Sequence, residues 1–253
     1  MVSNAVIEVM LKRASTRKYK DDIPTDDIIR TVVRAGMQAP FAAQLYSVLL
    51  SRKKENTPWH APLQFIVCVD AHKMETIMAR RNWKMVSNNL AVLTFGMQDA
   101  TLMAENMVIA AESLGLGSCF IGLSPAWAGK IVDECHLPKR VLPLVMLVMG
   151  YPAEIPPPRP RYPLEFVLFE DCYPEFSEEM VSRAMSQMDE GYLAQDYYLK
   201  GKFIIKLDEG RSEKFTLADY SWTEHISRKW GQWHKSPDEW LALMEKCGFE
   251  LPK

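Results

Sequence analysis

Arg13, Ser15 and Arg17 bring two guanidinium groups and a hydroxyl together at the end of an apolar N-terminal stretch, within one or two turns of chain. Guanidinium forks match phosphate oxygens two at a time, and a hydroxyl between them can donate a further bond, so the triplet suits an anionic ligand. A second basic pair, Arg159 and Arg161, flanks Pro160 on a segment whose prolines make it stiff and extended. Between the two, Ala39-Pro40-Phe41-Ala42-Ala43-Gln44 sets small residues after a helix end, where a flat ring can lie against backbone, and then an amide. Each piece also has a plainer reading: a solvated helix end, a basic linker, a turn. Neither basic cluster is specific by itself.

Other chemistries lack their residues. No G-x-G-x-x-G, Walker A, G-x-S-x-G or H-E-x-x-H pattern occurs. His60, His72, His136, His225 and His234 are dispersed, with no metal-like spacing to another ligand residue. The five cysteines, Cys68, Cys119, Cys135, Cys172 and Cys247, are odd in number and form no C-x-x-C pair. That pattern points to reduced thiols, with neither a disulfide framework nor a zinc site. A formal net charge of -2 excludes a strongly basic nucleic-acid binder but leaves room for a local basic pocket. The N-terminus shows no leader-like apolar region, and the longest apolar runs, such as residues 142–149, are too short to span a bilayer. A cytoplasmic protein with no membrane or nucleic-acid partner is expected.

The elements that must position these residues are read from periodicity. Residues 98–122, QDATLMAENMVIAAESLGLGSCFIG, are the organising stretch. Asp99 is expected to cap a helix that runs to Leu114, and Gly115 to end it in a left-handed conformation. Glu105, Asn106, Glu112 and Ser113 share one narrow polar stripe, so the apolar remainder must be covered on several sides, by this chain or by a partner. A short strand over 116–122 follows, with glycines permitting close approach. Helices are further expected over 3–11, from Thr25 to near Gly36, over 73–80, and from Ser124 to before Leu137. A final one starts at a capping box, Ser236-Pro237-Asp238-Glu239, with Trp240, Leu241, Leu243 and Met244 on its apolar face. Strands are expected over 46–51, 63–70 and 142–149, a polar loop over 53–60, and charged, aromatic helices over 175–235; the stretch 81–96 is ambiguous. This order argues for an α+β domain rather than alternating βαβ winding.

Arg13-Ala14-Ser15-Thr16-Arg17 with Tyr19, Ala39-Pro40 to Gln44, the LGLGSCFIG block, the Gly150-Tyr151-Pro152 turn and Arg159-Pro160-Arg161 together resemble the FMN-dependent nitroreductase family, over roughly residues 4–165. The resemblance implies a nitroreductase-like sandwich: a central mixed or antiparallel sheet flanked by helices, in a domain-spanning homodimer with FMN at the subunit interface. It implies an FMN-binding domain over 1–165 and a C-terminal helical extension over 166–253 that packs on the same domain or wraps the partner. By position it gives Arg13 and Arg17 to the phosphate and the flavin pyrimidine edge, with Ser15 between them, and Arg161 to the phosphate from the other side, with Arg159 the weaker candidate. Pro40, Phe41 and Ala42 would lie along the ring from the partner subunit, with Gln44 at the family's asparagine position. Ile121 and Gly122 would offer backbone near the flavin N5 and O4 edge.

Two departures bear on substrate choice. Phe41 replaces the family's usual serine, and Tyr46-Ser47 replaces its glutamine-proline, so aromatics are expected to reshape the pocket over the ring. The family's middle-region ring contacts have no counterpart in 81–97. The activity implied is transfer of hydride from NADH or NADPH, through flavin N5, to small electron-poor acceptors such as nitroaromatics or quinones by ping-pong kinetics. The flavin carries that chemistry, so no catalytic side chain is required. Trp59 and His60 are candidates for the entrance. Phe41 and Tyr46 leave open a specialised enzyme of the same fold, such as a dehalogenase or a flavin-consuming enzyme, and a flavin-binding storage or sensor protein without turnover.

Overall fold

A computed structural model describes residues 2–208, 210–232 and 236–251. Its packing divides the chain into two units, Met1–Pro156 with Ser236–Lys253, and Pro157–Lys235. The first unit is built on a four-stranded sheet of order β1-β2-β4-β3, with β1 Tyr46–Ser51, β2 Leu63–Asp70, β3 Gly117–Gly122 and β4 Val141–Gly150. Every ladder is antiparallel, and one isolated parallel bridge, Ser15 to Ser118, adds to it.

Alternation along β2 feeds two cores. Leu63, Phe65 and Val67 face the layer formed by α2 (Asp26–Gly36) and α4 (Asn89–Ser113), packing with Ile29, Val32, Met103 and Met107. Ile66 and Cys68 face the opposite layer, with Ala128 and Ile131 of α5 (Pro125–Glu134) and with Leu243, Cys247 and Phe249. The ladder to β4 is irregular between Val67 and Cys68, where β4 carries the extra residue Leu144; Val69 keeps the side of Val67 and meets α4 at Gly96. The sheet is thus covered on both faces, as an α+β sandwich requires.

The central helix starts earlier than its sequence suggests. Asn88 caps it, accepting from Ala91 N at 2.8 Å, and its 25 residues span about 37 Å. Asp99 therefore lies inside α4 and caps nothing in it. Two glycines bring this helix into place: a Cβ on Gly36 would sit 2.5 Å from Met107, and one on Gly96 2.4 Å from Val69. The N-terminal helix α1, Ala5–Lys12, carries Val, Ile, Met and Leu yet buries none of its residues.

The last helix, α9 (Asp238–Lys246), packs on α5 within this first unit, with Lys246 paired to Asp133 at 2.8 Å. Its start differs from the expected capping box: Ser236 Oγ accepts from Asp238 N, and Pro237 stands at the cap. Of its apolar face only Leu243 is fully buried. Arg140 ties the returning chain down, bonding Glu75 at 2.6 Å, Asn89 Oδ1 and the Gly248 carbonyl at 2.8 Å, and lying over the Phe249 ring. α3, His72–Arg80, supplies Glu75.

The second unit holds α6 (Glu178–Ala194), α7 (Tyr197–Gly201) and α8 (Trp222–Gly231). Its organising side chain is Arg228, buried against Phe215 and Tyr220 and bonded to Glu213, Glu224 and the Ile205 carbonyl. That guanidinium lowers the Glu213 carboxyl to about 2. Tyr220 carries the contact into a ring cluster, packing edge to face with Tyr198 and His225, while Tyr198 lies tilted against Tyr192 and His225.

Candidate functional site

The Arg13–Arg17 segment is extended, not helical. Arg13 ends α1, its N–H donating to Val9 O at 3.0 Å, and the chain then runs along the outer edge of β3. Thr16 N donates to Ser118 O at 2.9 Å beside the Ser15–Ser118 bridge. Further on, Lys20 N bonds Tyr151 O, Ala153 N bonds Lys18 O, and the Tyr19 hydroxyl donates to Thr16 O at 2.7 Å. Extended backbone sends alternate side chains to opposite sides. Ala14 and Thr16 are buried, so Arg13, Ser15 and Arg17 share the other side.

Gly117 makes that seam possible. A Cβ there would lie 2.3 Å from Thr16 Oγ1, so a glycine is needed for the buried threonine to sit against the strand. Gly115, at φ +77°, turns the chain from α4 into β3 in the left-handed conformation expected of it.

Arg13 and Arg17 close no ion pair among the described residues, whereas Arg52, Arg140, Arg183 and Arg228 each do. Arg17 lies over the Trp59 ring, 5.5 Å from its centroid. Trp59 and His60 are both left-handed, at φ 54° and 51°, and with Arg17, Lys18, Tyr19 and Lys54 they line an open cleft of about 730 Å³. Glu112 is half-buried behind the segment: Ser118 Oγ donates to it at 3.2 Å, and Arg13 acts on it electrostatically. Burial is the largest influence and pushes its carboxyl up. The polar stripe of α4 contained Glu112, but only the turn at Gly115 shows that it faces Arg13.

Ile121 and Gly122 lie on the same strand, beyond the point where Ser15 and Thr16 cover it. Both pair with β4 on one side, through Met146 and Val145. Because β3 ends the sheet order, the ladder leaves their other edge open. Nothing within 4 Å meets a Cβ built on Gly122. One sheet edge therefore gathers Arg13, Ser15, Arg17, Ile121 and Gly122.

The Pro40–Gln44 loop is held by a different element. The Asp99 carboxylate, 1% exposed, accepts from Ala42 N at 2.6 Å and from Ala43 N and Leu45 N at 3.0 Å each. Pro40, Phe41, Ala42 and Gln44 remain exposed, with Gln44 at φ +52°. Tyr46, expected to join Phe41 in reshaping a pocket, is buried in the core beneath β1, its carbonyl taking the Lys73 ammonium. Phe41 is the aromatic left on the surface. Arg159 and Arg161 belong to the second unit, where Arg159 bonds Gln195 at 2.6 Å and covers the Tyr197 ring, and Arg161 donates to the Arg159 and Pro160 carbonyls. His234 lies outside the described residues. Among those described, no three His, Cys, Asp or Glu side chains are grouped to hold a metal ion, and no helix is long and apolar enough to cross a membrane.

One sheet edge thus offers two unpaired guanidiniums, a hydroxyl and open backbone, groups whose chemistry suits an anion. Residues 49–151 match the family model described as the nitroreductase family. An FMN reductase (NADPH) of Bacillus subtilis is 30% identical over 186 residues, 67% of this chain and 75% of the relative. The solved structure of the hypothetical oxidoreductase YcnD from Bacillus subtilis superposes with a TM-score of 0.83 at 25% identity, covering 99% of this chain and 100% of that one. An NADPH:FMN oxidoreductase from Vibrio harveyi, complexed with NAD+, shares the fold at a TM-score of 0.77 and 22% identity, over 97% and 98% of the two chains. The chain belongs to the nitroreductase family of NAD(P)H-dependent flavin oxidoreductases.

Proposed function

We propose that this protein is an FMN-dependent oxidoreductase, working as a homodimer, that moves hydride from NADH or NADPH to a small electron-poor acceptor such as a nitroaromatic or a quinone. The observation that carries this reading is the pair of unpaired guanidiniums, Arg13 and Arg17, fixed on the open edge of β3 beside Ile121 and Gly122. When bound, FMN supplies a centre that takes hydride from one partner and gives it to the next, so the two substrates use one site in turn.

The residues present fit that group. Arg13 and Arg17 supply positive charge for its phosphate and pyrimidine edge, with Ser15 donating between them. Positive charge and backbone N–H groups already in place stabilise negative charge that develops on a reduced ring, without reorganising at the moment of transfer. Gly122, in phase with Ser118 along β3, turns such a backbone group to the open edge, and Ile121 beside it turns its own toward β4. Pro40, Phe41, Ala42 and Gln44 present a surface along the ring from the partner subunit. Phe41 limits the space above it and so selects flat acceptors.

The test is direct. Protein purified without added cofactor and examined for a visible flavin spectrum, then given NADPH or NADH anaerobically, should be yellow, release FMN on denaturation and bleach with either nucleotide. Arg17→Ala should weaken FMN binding at least tenfold, read by flavin fluorescence. Colourless protein that takes up no added FMN would refute the proposal, and yellow protein that never bleaches would favour storage or sensing.

A further inference from the structure

We propose that Asp99 is a positioning residue for the flavin site: its carboxylate sets the shape of the Pro40–Gln44 loop before any cofactor arrives. The inference rests on the reading above, in which that loop lies along the ring.

Asp99 lies in the middle of α4, ten residues after its first. A carboxylate at such a position ordinarily faces solvent or a cation, since a helix interior offers it no free N–H. Here it is buried and has no ion pair among the described residues; its hydrogen bonds come from three amides of one loop, Ala42, Ala43 and Leu45. For the third amide to turn back, Gln44 adopts φ +52°, a conformation that residues other than glycine, asparagine and aspartate take at a cost. The Leu45 carbonyl accepts from Asp70 N and the Leu45 side chain is buried, so the loop is pinned where it enters β1. With its N–H groups drawn down on α4, the loop leaves Phe41 and Gln44 on the exposed side. Those are the side chains assigned to the ring. A loop ordered in advance spares the ligand the cost of ordering it, which appears as affinity.

Asparagine at this position would set an NH2 group against backbone N–H donors and abolish at least one of the three bonds. The experiment has two arms. In the wild-type protein stripped of flavin, amide hydrogen exchange should already show Ala42, Ala43 and Leu45 protected, and FMN should change that protection little. In Asp99→Asn their protection should fall at least tenfold while β2 and β4 amides keep theirs, and the FMN dissociation constant should rise at least tenfold. Should the variant fail to fold, the wild-type arm still decides: amides protected only after FMN is added would overturn the proposal. It would also be overturned if β2 and β4 lost protection in step with the loop, or if the freed loop left FMN affinity within twofold. Wild-type protein that binds no FMN would instead refute the functional reading itself, and with it this role.

Discussion

Glu112 is a carboxylate held where a carboxylate is uncomfortable. Burial raises its pKa above the ordinary 4.5, against the pull of Ser118 and Arg13. A folded-state value above the unfolded one means that the native protein keeps its proton at pH values where the unfolded chain has lost it. The stability this brings is complete below about 4.5 and is lost as pH rises through the folded value. Glu112→Gln removes that dependence. Thermal unfolding of the two proteins between pH 4 and 8 should show the variant gaining on the wild type as pH rises; a constant offset would mean that Glu112 titrates normally. The same residue shows what sequence leaves hidden. Glu112 was visible as one member of a polar stripe, but nothing in its spacing says that the next strand folds back over it.

At the scale of elements, the seam between residues 13–19 and β3 depends on one missing Cβ. Gly117→Val should push a methyl-bearing carbon into Thr16, whose side chain is buried and cannot swing away. Overpacking of this kind costs about 1–3 kcal/mol, measurable by urea denaturation. Thr16→Gly in the same background should restore part of it, and an undiminished loss in the double variant would place the strain elsewhere. Elements whose signals are local were legible from sequence: β1 and β2 fall on the expected residues because alternation and the flanking Pro62 and Asp70 bound them, and Thr25 and Ser124 cap the helices they precede. Elements set by tertiary contacts were not. The start of α4 was obscured by the polar Ser87-Asn88-Asn89 run and by Gly96 inside the helix, and Asp99 resembled a cap because aspartate prefers caps; its actual partners are 54–57 positions away in sequence. Arg13, Ser15 and Arg17 were expected close together within one or two turns at the end of the first helix, and they share a side through the two-residue alternation of extended chain.

For the whole molecule, α1 poses the largest unanswered demand. Val6, Met10 and Leu11 are at least 50% exposed on a helix with no buried residue, and Leu102 of α4 is also exposed. Apolar surface of this kind is what a partner chain covers. The proposed homodimer therefore predicts a mass near twice 29.0 kDa by light scattering. Val6→Glu with Met10→Glu should shift it toward the monomer and weaken FMN binding together with dimerisation; a variant that stays dimeric would place the interface elsewhere.

The division of the chain into units also has a consequence during synthesis. Residues 157–235 form a contiguous unit, so all of it has been translated before the segment from Ser236 onward is. The first unit must wait. Leu243, Cys247 and Phe249, which help close one face of its sheet, leave the ribosome only after the whole second unit has. Until then Ile66, Cys68, Met146 and Val148 have α5 as cover but lack the rest, leaving apolar surface that chaperones would recognise. A premature stop codon after residue 235 would not yield a shortened enzyme but a sheet permanently lacking one of its covers.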